Sequence, residues 1–128
     1  MGFELALSED KHFVIFTPQE IGGALDVFVR RRTAIGAFAD KHGLNSILMD
    51  YRGRKLSLDP GFLEAALTSP RLKLKNHWRV AILVSLDVPQ HSIELATGLA
   101  DILNAMGQDA RKFFDLADAA RWLARPGD

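Results

Sequence analysis

The chain has 128 residues, of which 16 are lysine or arginine and 16 are aspartate or glutamate, so its formal net charge is zero. A neutral chain lacks the cationic excess that general nucleic-acid binding requires, and we expect no nucleic-acid partner. The absence of cysteine excludes disulfides, thiolate metal sites and cysteine nucleophiles.

Hydrophobic periodicity predicts five strands and four helices. In chain order these are a strand from Phe3 to Leu7, a strand from His12 to Thr17, a helix from Gln19 to His42, a strand from Ser46 to Tyr51, a short helix from Asp59 to about Leu67, a strand from Trp78 to Leu86, a helix from His91 to Met106, a strand from Ala110 to Phe114 and a helix from Asp115 through Leu123. Pro18 is predicted to end the second strand, and Gly43 and Gly107 are predicted to stop the two longest helices. Asp115 is the predicted N-cap of the last helix.

The order of these elements predicts an α/β fold. Helices that alternate with buried strands require a mostly parallel sheet with right-handed crossovers, and the N-terminal β-hairpin adds an antiparallel strand. We therefore expect a mixed, mostly parallel five-stranded sheet with about four helices, in one domain over residues 1–128. Trp78 and Trp122 are predicted to be packing aromatics. The apolar run from Val80 to Val84 is too short to span a bilayer and the first residues are no signal peptide, so we expect a cytoplasmic protein without a transmembrane segment.

Two parts of the chain resemble a known family. The hairpin, the long first helix and the strand with Leu48, Met49 and Asp50 resemble the STAS-type fold of anti-sigma-factor antagonists. The tail from Ala110 to Leu123 resembles the SpoIIAA-like bacterial family, where a strand ending in Phe leads through an acidic turn into an Ala-rich helix with a terminal Trp-Leu. The resemblance implies a non-enzymatic binding or regulatory module, distantly related to the lipid-carrying CRAL–TRIO domains.

The chain departs from the antagonists at their phosphorylation segment. In those proteins an Asp-Ser-Ser-Gly segment presents a serine at a helix N-terminus. The corresponding residues here, from Arg54 to Pro60, contain Ser57 as their one serine. The resemblance therefore does not extend to phosphoregulation by a switch kinase.

Polar residues follow two of the buried strands, at the edge of an open α/β sheet where ligands bind. They are Asp50, Tyr51, Arg52 and Ser57 after the first strand, and Asp87, His91 and Ser92 after the second. These residues could line one pocket, and Ser57 could accept a phosphate that the following helix dipole favours. The alternative is that Asp50 and Arg52 pair locally, that Ser57 is a turn residue and that His91 or Ser92 caps a helix.

Arg32 falls in the middle of the apolar face of the first helix, whereas Arg30 and Arg31 fall away from that face. A guanidinium in that position must reach water along its stem, find a carboxylate or meet a partner. One interpretation is a stem packed on the sheet edge. The other is that Arg32 anchors an oligomer or ligand surface, and Val27 and Phe38 on the same helix are candidates for a homodimer surface.

No pattern in the chain indicates catalysis. Ser85, Asp87 and His91 have the residue types of a hydrolytic triad, but the chain has no Gly-x-Ser-x-Gly elbow. The four histidines lack metal-ligand spacing, so we expect no metal and no cofactor. The favoured function is a binding or regulatory module that recognises a protein partner or a small apolar ligand. The alternatives are a small hydrolase or phospho-acceptor domain that uses Asp50 or Ser57, and a subunit that acts by forming a homodimer.

Overall fold

The computed structural model describes residues 3–18, 25–52, 77–86 and 90–124. These residues form β1 (Phe3–Leu7), β2 (Val14–Pro18), α1 (Leu25–His42), β3 (Ser46–Asp50), β4 (Arg79–Leu83), α2 (Gln90–Ala105), β5 (Asp109–Phe113) and α3 (Leu116–Ala124). The helix predicted from Asp59 to Leu67 lies outside the described residues, and so does the first part of the helix predicted from Gln19.

The five strands form one sheet in the order β1-β2-β3-β4-β5. β1 is antiparallel to β2, and the other neighbouring strands are parallel. The predicted α/β class and the mixed, mostly parallel five-stranded sheet are therefore confirmed. No described helix has the length and apolar character needed to cross a membrane.

Helices cover both faces of the central strands. On one face, α1 and α2 contribute Ile35, Ala39, Ala96, Leu99 and Leu103 to a cluster with the side chains of Val14, Phe16, Ile47, Met49, Val80 and Ile82. On the other face, α3 contributes Ala119, Trp122 and Leu123 to a cluster with Phe13, Leu48, Ala81 and Leu83. Because both faces are covered, β3 and β4 have apolar residues at successive positions rather than at alternate ones.

The hairpin between β1 and β2 is organised by one buried serine. Ser8 Oγ accepts hydrogen bonds from the backbone N–H groups of His12 (3.0 Å) and Phe13 (3.2 Å) and donates one to Asp10 (2.7 Å). The strand begins at Val14, two residues later than predicted, because these bonds hold His12 and Phe13 in the turn. Hydrogen bonds from Ser8 and His12 also lower the pKa of Asp10.

Pro18 belongs to β2 as its last residue and faces Phe3. The Ser8 N–H donates to the Phe13 carbonyl (3.0 Å), so a hydrogen-bonded position lies one step beyond Leu7 and Val14, the last pair of the antiparallel ladder. Bonded and non-bonded pairs alternate along such a ladder, so Phe3 and Pro18 form a non-bonded pair. The missing N–H of Pro18 therefore costs no hydrogen bond to β1, and Pro18 lies beyond Phe16, the last residue of β2 that pairs with β3.

The predicted helix ends are confirmed by backbone geometry. Gly43 (φ 65°) and Gly107 (φ 88°) follow α1 and α2 in the left-handed conformation that glycine adopts most easily. The next N–H groups, of Leu44 and Gln108, donate back to the carbonyls of Ala39 (2.9 Å) and Leu103 (3.0 Å). Asp115 is the N-cap of α3, because its Oδ1 accepts a hydrogen bond from the Ala117 N–H at 2.7 Å.

Gly98, inside α2, and Gly107, just after it, test these backbone assignments. Gly98 lies inside α2, and an added Cβ there has nothing within 4 Å. We expect Gly98→Ala to raise the free energy of unfolding by about 0.5–1 kcal/mol, because alanine loses less backbone entropy in a helix. Gly107→Ala is the matched control and should lower it, because its positive φ strains any residue with a Cβ. Urea denaturation monitored by circular dichroism measures both, and shifts in the same direction would contradict the assignment.

Candidate functional site

The carboxyl ends of three parallel strands lie side by side at one edge of the sheet. Asp50 pairs with Leu83, and Leu83 pairs with Phe113. Beyond the strand ends, the Tyr51 N–H donates to the Leu83 carbonyl (2.9 Å), and the Val84 N–H donates to the Phe113 carbonyl (2.9 Å). The residues after β3, β4 and β5 therefore meet at the edge where the sequence places its candidate site.

Asp50 and Arg52 form a local ion pair. The Arg52 Nε donates to Asp50 Oδ1 (3.0 Å), and a terminal guanidinium nitrogen donates to Asp50 Oδ2 (2.9 Å). The Arg52 backbone N–H also donates to Oδ1 (3.1 Å). The hydrogen bond to Asp50 raises the pKa of Arg52. Both oxygens of the Asp50 carboxylate thus accept hydrogen bonds from the Arg52 guanidinium. Of the two alternatives that the sequence left open, this is the local ion pair. The geometry disfavours Asp50 as a nucleophile, because the pair engages both of its oxygens.

Tyr51 belongs to the core rather than to an open edge. Its side chain is 8 % exposed and packs in the cluster under α1 and α2. Burial raises the pKa of Tyr51 to about 12, and the positive charge of Arg31 opposes that shift.

Arg31 is half-buried, with its guanidinium carbon 5.8 Å from the centre of the Phe16 ring. The expectation that Arg31 faces away from the core is therefore wrong.

Arg32 is half-buried on α1, and burial lowers its pKa. Phe38, predicted to be an exposed part of a dimer surface, is also half-buried. It packs against the core cluster, with its ring centre 4.7 Å from that of His42. The prediction of Phe38 as an exposed surface residue is thus corrected, because its ring packs against the core cluster. The side chain of Val27 lies outside the described residues.

The structure describes only part of the second predicted loop. Ser57 and Asp87 lie outside the described residues, and so do the side chains of His91 and Ser92.

Within the described ranges, no group of three or more histidine, aspartate or glutamate side chains could hold a metal ion. The described histidine side chains have separate contacts: His12 pairs with Asp10 (3.1 Å), the His42 ring lies tilted by 51° against Phe38, and His77 Nδ1 lies 2.7 Å from the Gly107 carbonyl.

Three large apolar side chains are exposed beside the ends of β4 and β5, and we call them the apolar edge. They are Leu86 (73 % exposed), Phe114 (41 %) and Leu116 (42 %). Lys112 borders this group: its Nζ lies 5.4 Å from the centre of the Phe114 ring and donates to Thr97 Oγ1 at 2.8 Å. The sequence did not predict the apolar edge, because its pattern extends the two strands through Leu86 and Phe114, whereas the strands end at Leu83 and Phe113.

At the opposite end of the sheet, aromatic and cationic side chains hold the end of α3. Arg79 donates to the Trp122 carbonyl (3.0 Å), and Ser46 Oγ donates to the Leu123 carbonyl (3.2 Å). The guanidinium groups of Arg79 and Arg111 lie 5.2 and 5.3 Å from the centre of a Trp122 ring. Cations at a helix C-terminus are favourable, so this cluster has a structural role. Trp78 and Trp122 are both buried, as predicted.

Comparisons with protein-family models, with curated proteins and with solved structures find no match for the chain. The likeness of its tail to the SpoIIAA-like family therefore stays a prediction. Trp122 and Leu123, which carry that likeness, pack on β3 and β4 and position α3.

Tyr51 is the only tyrosine of the chain, so its ionisation can be followed directly by absorbance at 295 nm. We expect a midpoint near pH 12 in the folded protein, against about 10 in urea. The unfolded chain then releases the phenolic proton first, so this group lowers stability progressively as pH rises from 10 to 12. Tyr51→Phe should abolish the absorbance change and reduce the alkaline loss of stability. Ionisation at pH 10 with native circular dichroism would contradict the burial of Tyr51.

Proposed function

We propose that this chain is a non-enzymatic binding module and that the apolar edge contacts a protein partner. The observation that carries the proposal is the exposure of Leu86, Phe114 and Leu116 beside two adjacent strand ends. Single exposed apolar residues are ordinary on protein surfaces, whereas contiguous ones mark interaction sites. We infer that these three side chains form one surface, because they follow the ends of two strands that are hydrogen-bonded neighbours. The carboxyl edge of an open α/β sheet is also where such sheets receive ligands.

The exposure of these side chains favours a protein surface over a small molecule. Small ligands are bound in concave sites that bury most of their own surface. Leu86 is 73 % exposed, so it projects from the edge and does not line an enclosed cavity. Projecting leucine and phenylalanine side chains fit into pockets of a partner, where they can become energetic centres of an interface.

The charge beside the apolar edge indicates the chemistry of that partner. Lys112 places its ammonium group against the Phe114 ring, at the border of the exposed apolar residues. A partner that covers Phe114 therefore gains from a carboxylate near Lys112, which improves the orientation and the rate of association. We infer a partner segment with apolar side chains and at least one acidic residue.

The resemblance of the tail to the SpoIIAA-like family supports the same class of function, because it implies a binding or regulatory module. The phospho-acceptor alternative has less support at Asp50. Both oxygens of that carboxylate accept hydrogen bonds from Arg52. An attack on phosphorus would first require this ion pair to open.

A peptide selection tests the proposal without a known partner. A displayed random peptide library is selected on the immobilised wild-type chain, and the binding of the selected peptides is then measured on variants. We expect the peptides to combine apolar with acidic residues. Leu86→Asp and Phe114→Asp should each weaken their binding about tenfold or more, because they place a carboxylate in the apolar contact.

Thr33→Asp is the matched control, because it adds the same charge at an exposed position of α1. It should leave peptide binding unchanged, and all three variants should keep the thermal stability of the wild type to within a few degrees. Equal binding to all variants would contradict the proposed surface. A small molecule that co-purifies in native mass spectrometry and is lost in Leu86→Asp would replace the protein partner with an apolar ligand.

A further inference from the structure

The two edge strands of the described sheet have different side chains. β5 has Arg111 and Lys112 in the middle of its length, and charged residues at an edge discourage pairing with another strand. β1 has the sequence Phe-Glu-Leu-Ala-Leu, with Glu4 as its one charge. β1 is therefore the edge that is chemically suited to accept a further strand.

The register of the hairpin determines which backbone groups of β1 point outward. The bond from the Ser8 N–H to the Phe13 carbonyl marks a hydrogen-bonded pair, so alternation places the bonds of Glu4 and Ala6 toward β2. The N–H and carbonyl groups of Phe3, Leu5 and Leu7 consequently point away from β2. Within the described sheet, β1 pairs with β2 alone.

We propose that a second copy of this chain pairs with β1 in antiparallel orientation, about a two-fold axis through Leu5. In that register Leu5 faces Leu5 of the second copy, and Phe3 faces Leu7 on either side. Each of these pairs uses outward groups and exchanges two backbone hydrogen bonds. The two five-stranded sheets then become one continuous sheet across a symmetric interface.

The side chains of β1 select this register. Glu4 faces Ala6 of the second copy, whereas an axis through Glu4 would place two glutamates opposite each other. An axis through Ala6 would leave the outward groups of Phe3 without a partner. Phe3, Leu5 and Leu7 are half-buried, with the Phe3 ring 5.6 Å from that of Phe16. Pairing about Leu5 extends this apolar row across the interface and removes more of it from water.

The β5 edge lacks this complementarity. An equivalent axis through the centre of β5 passes through Arg111 and places two guanidinium groups opposite each other. Lys112 is already engaged with Thr97 and the Phe114 ring. The side chains of the two edges thus favour a closed dimer that pairs through β1 over an open-ended assembly that also pairs through β5.

Opposite charge changes at Ala6 test the dimer. Ala6 is exposed and packs in neither core cluster, so its substitution should leave the monomer folded. Ala6→Lys creates an ion pair with Glu4 of the second copy twice per dimer, and Ala6→Glu creates a like-charge pair twice. We expect the dimer Kd from sedimentation equilibrium to fall about threefold or more with Ala6→Lys and to rise about as much with Ala6→Glu. Glu4→Gln should remove most of the gain from Ala6→Lys.

Two controls separate this interface from other surfaces. Arg111→Glu changes the charge of the β5 edge, and Leu86→Asp changes the apolar edge; both should leave the dimer Kd unchanged. A wild type and an Ala6→Lys variant that stay monomeric at millimolar concentration would overturn the proposal. A dimer whose Kd responds to Leu86→Asp and not to Ala6 would overturn it as well, and would place the dimer contact on the apolar edge.

Discussion

Burial of the central pair β3 and β4 on both faces is the constraint from which the rest of the structure follows. Every residue from Ile47 to Met49 and from Val80 to Val84 is buried, so each face needs a helical cover. The chain supplies α1 and α2 on one face and α3 on the other. Parallel pairing brings the carboxyl ends of β3, β4 and β5 to one edge, which is the edge where open α/β sheets bind ligands.

Several charged side chains of this neutral chain stabilise the ends of its own elements. Arg52 holds the carboxylate that ends β3, and Arg79 donates to the last turn of α3. Arg31 lies over an aromatic ring and acts on the buried Tyr51. Such pairs contribute little stability where they are exposed. Their effect is to fix local geometry, so these three arginines of the described residues have structural roles.

Periodicity in the sequence was sufficient for the class of the fold, because a buried parallel sheet and amphipathic helices have different repeats. Gly43, Gly107 and Asp115 also act as predicted, because their roles depend on local backbone geometry. The apolar edge could not be predicted in this way, since an apolar run does not show where its covering helix stops. Ser85 was the one available signal, because it interrupts the run before Leu86. The contact of Arg31 with the core was not predicted, because a helical wheel does not decide whether a residue at the border of a broad apolar face is buried.

The two surfaces proposed here lie on different parts of the sheet. β1 is one lateral edge, whereas the apolar edge lies beside the ends of β4 and β5, with β2 and β3 between them. Pairing through β1 therefore leaves both apolar edges of a dimer accessible. A partner with two suitable segments would bind such a dimer more tightly than either segment binds one copy, because the second contact forms within the same complex. Dimerisation through an edge strand can in this way increase the affinity of a modest apolar contact without adding a residue to it.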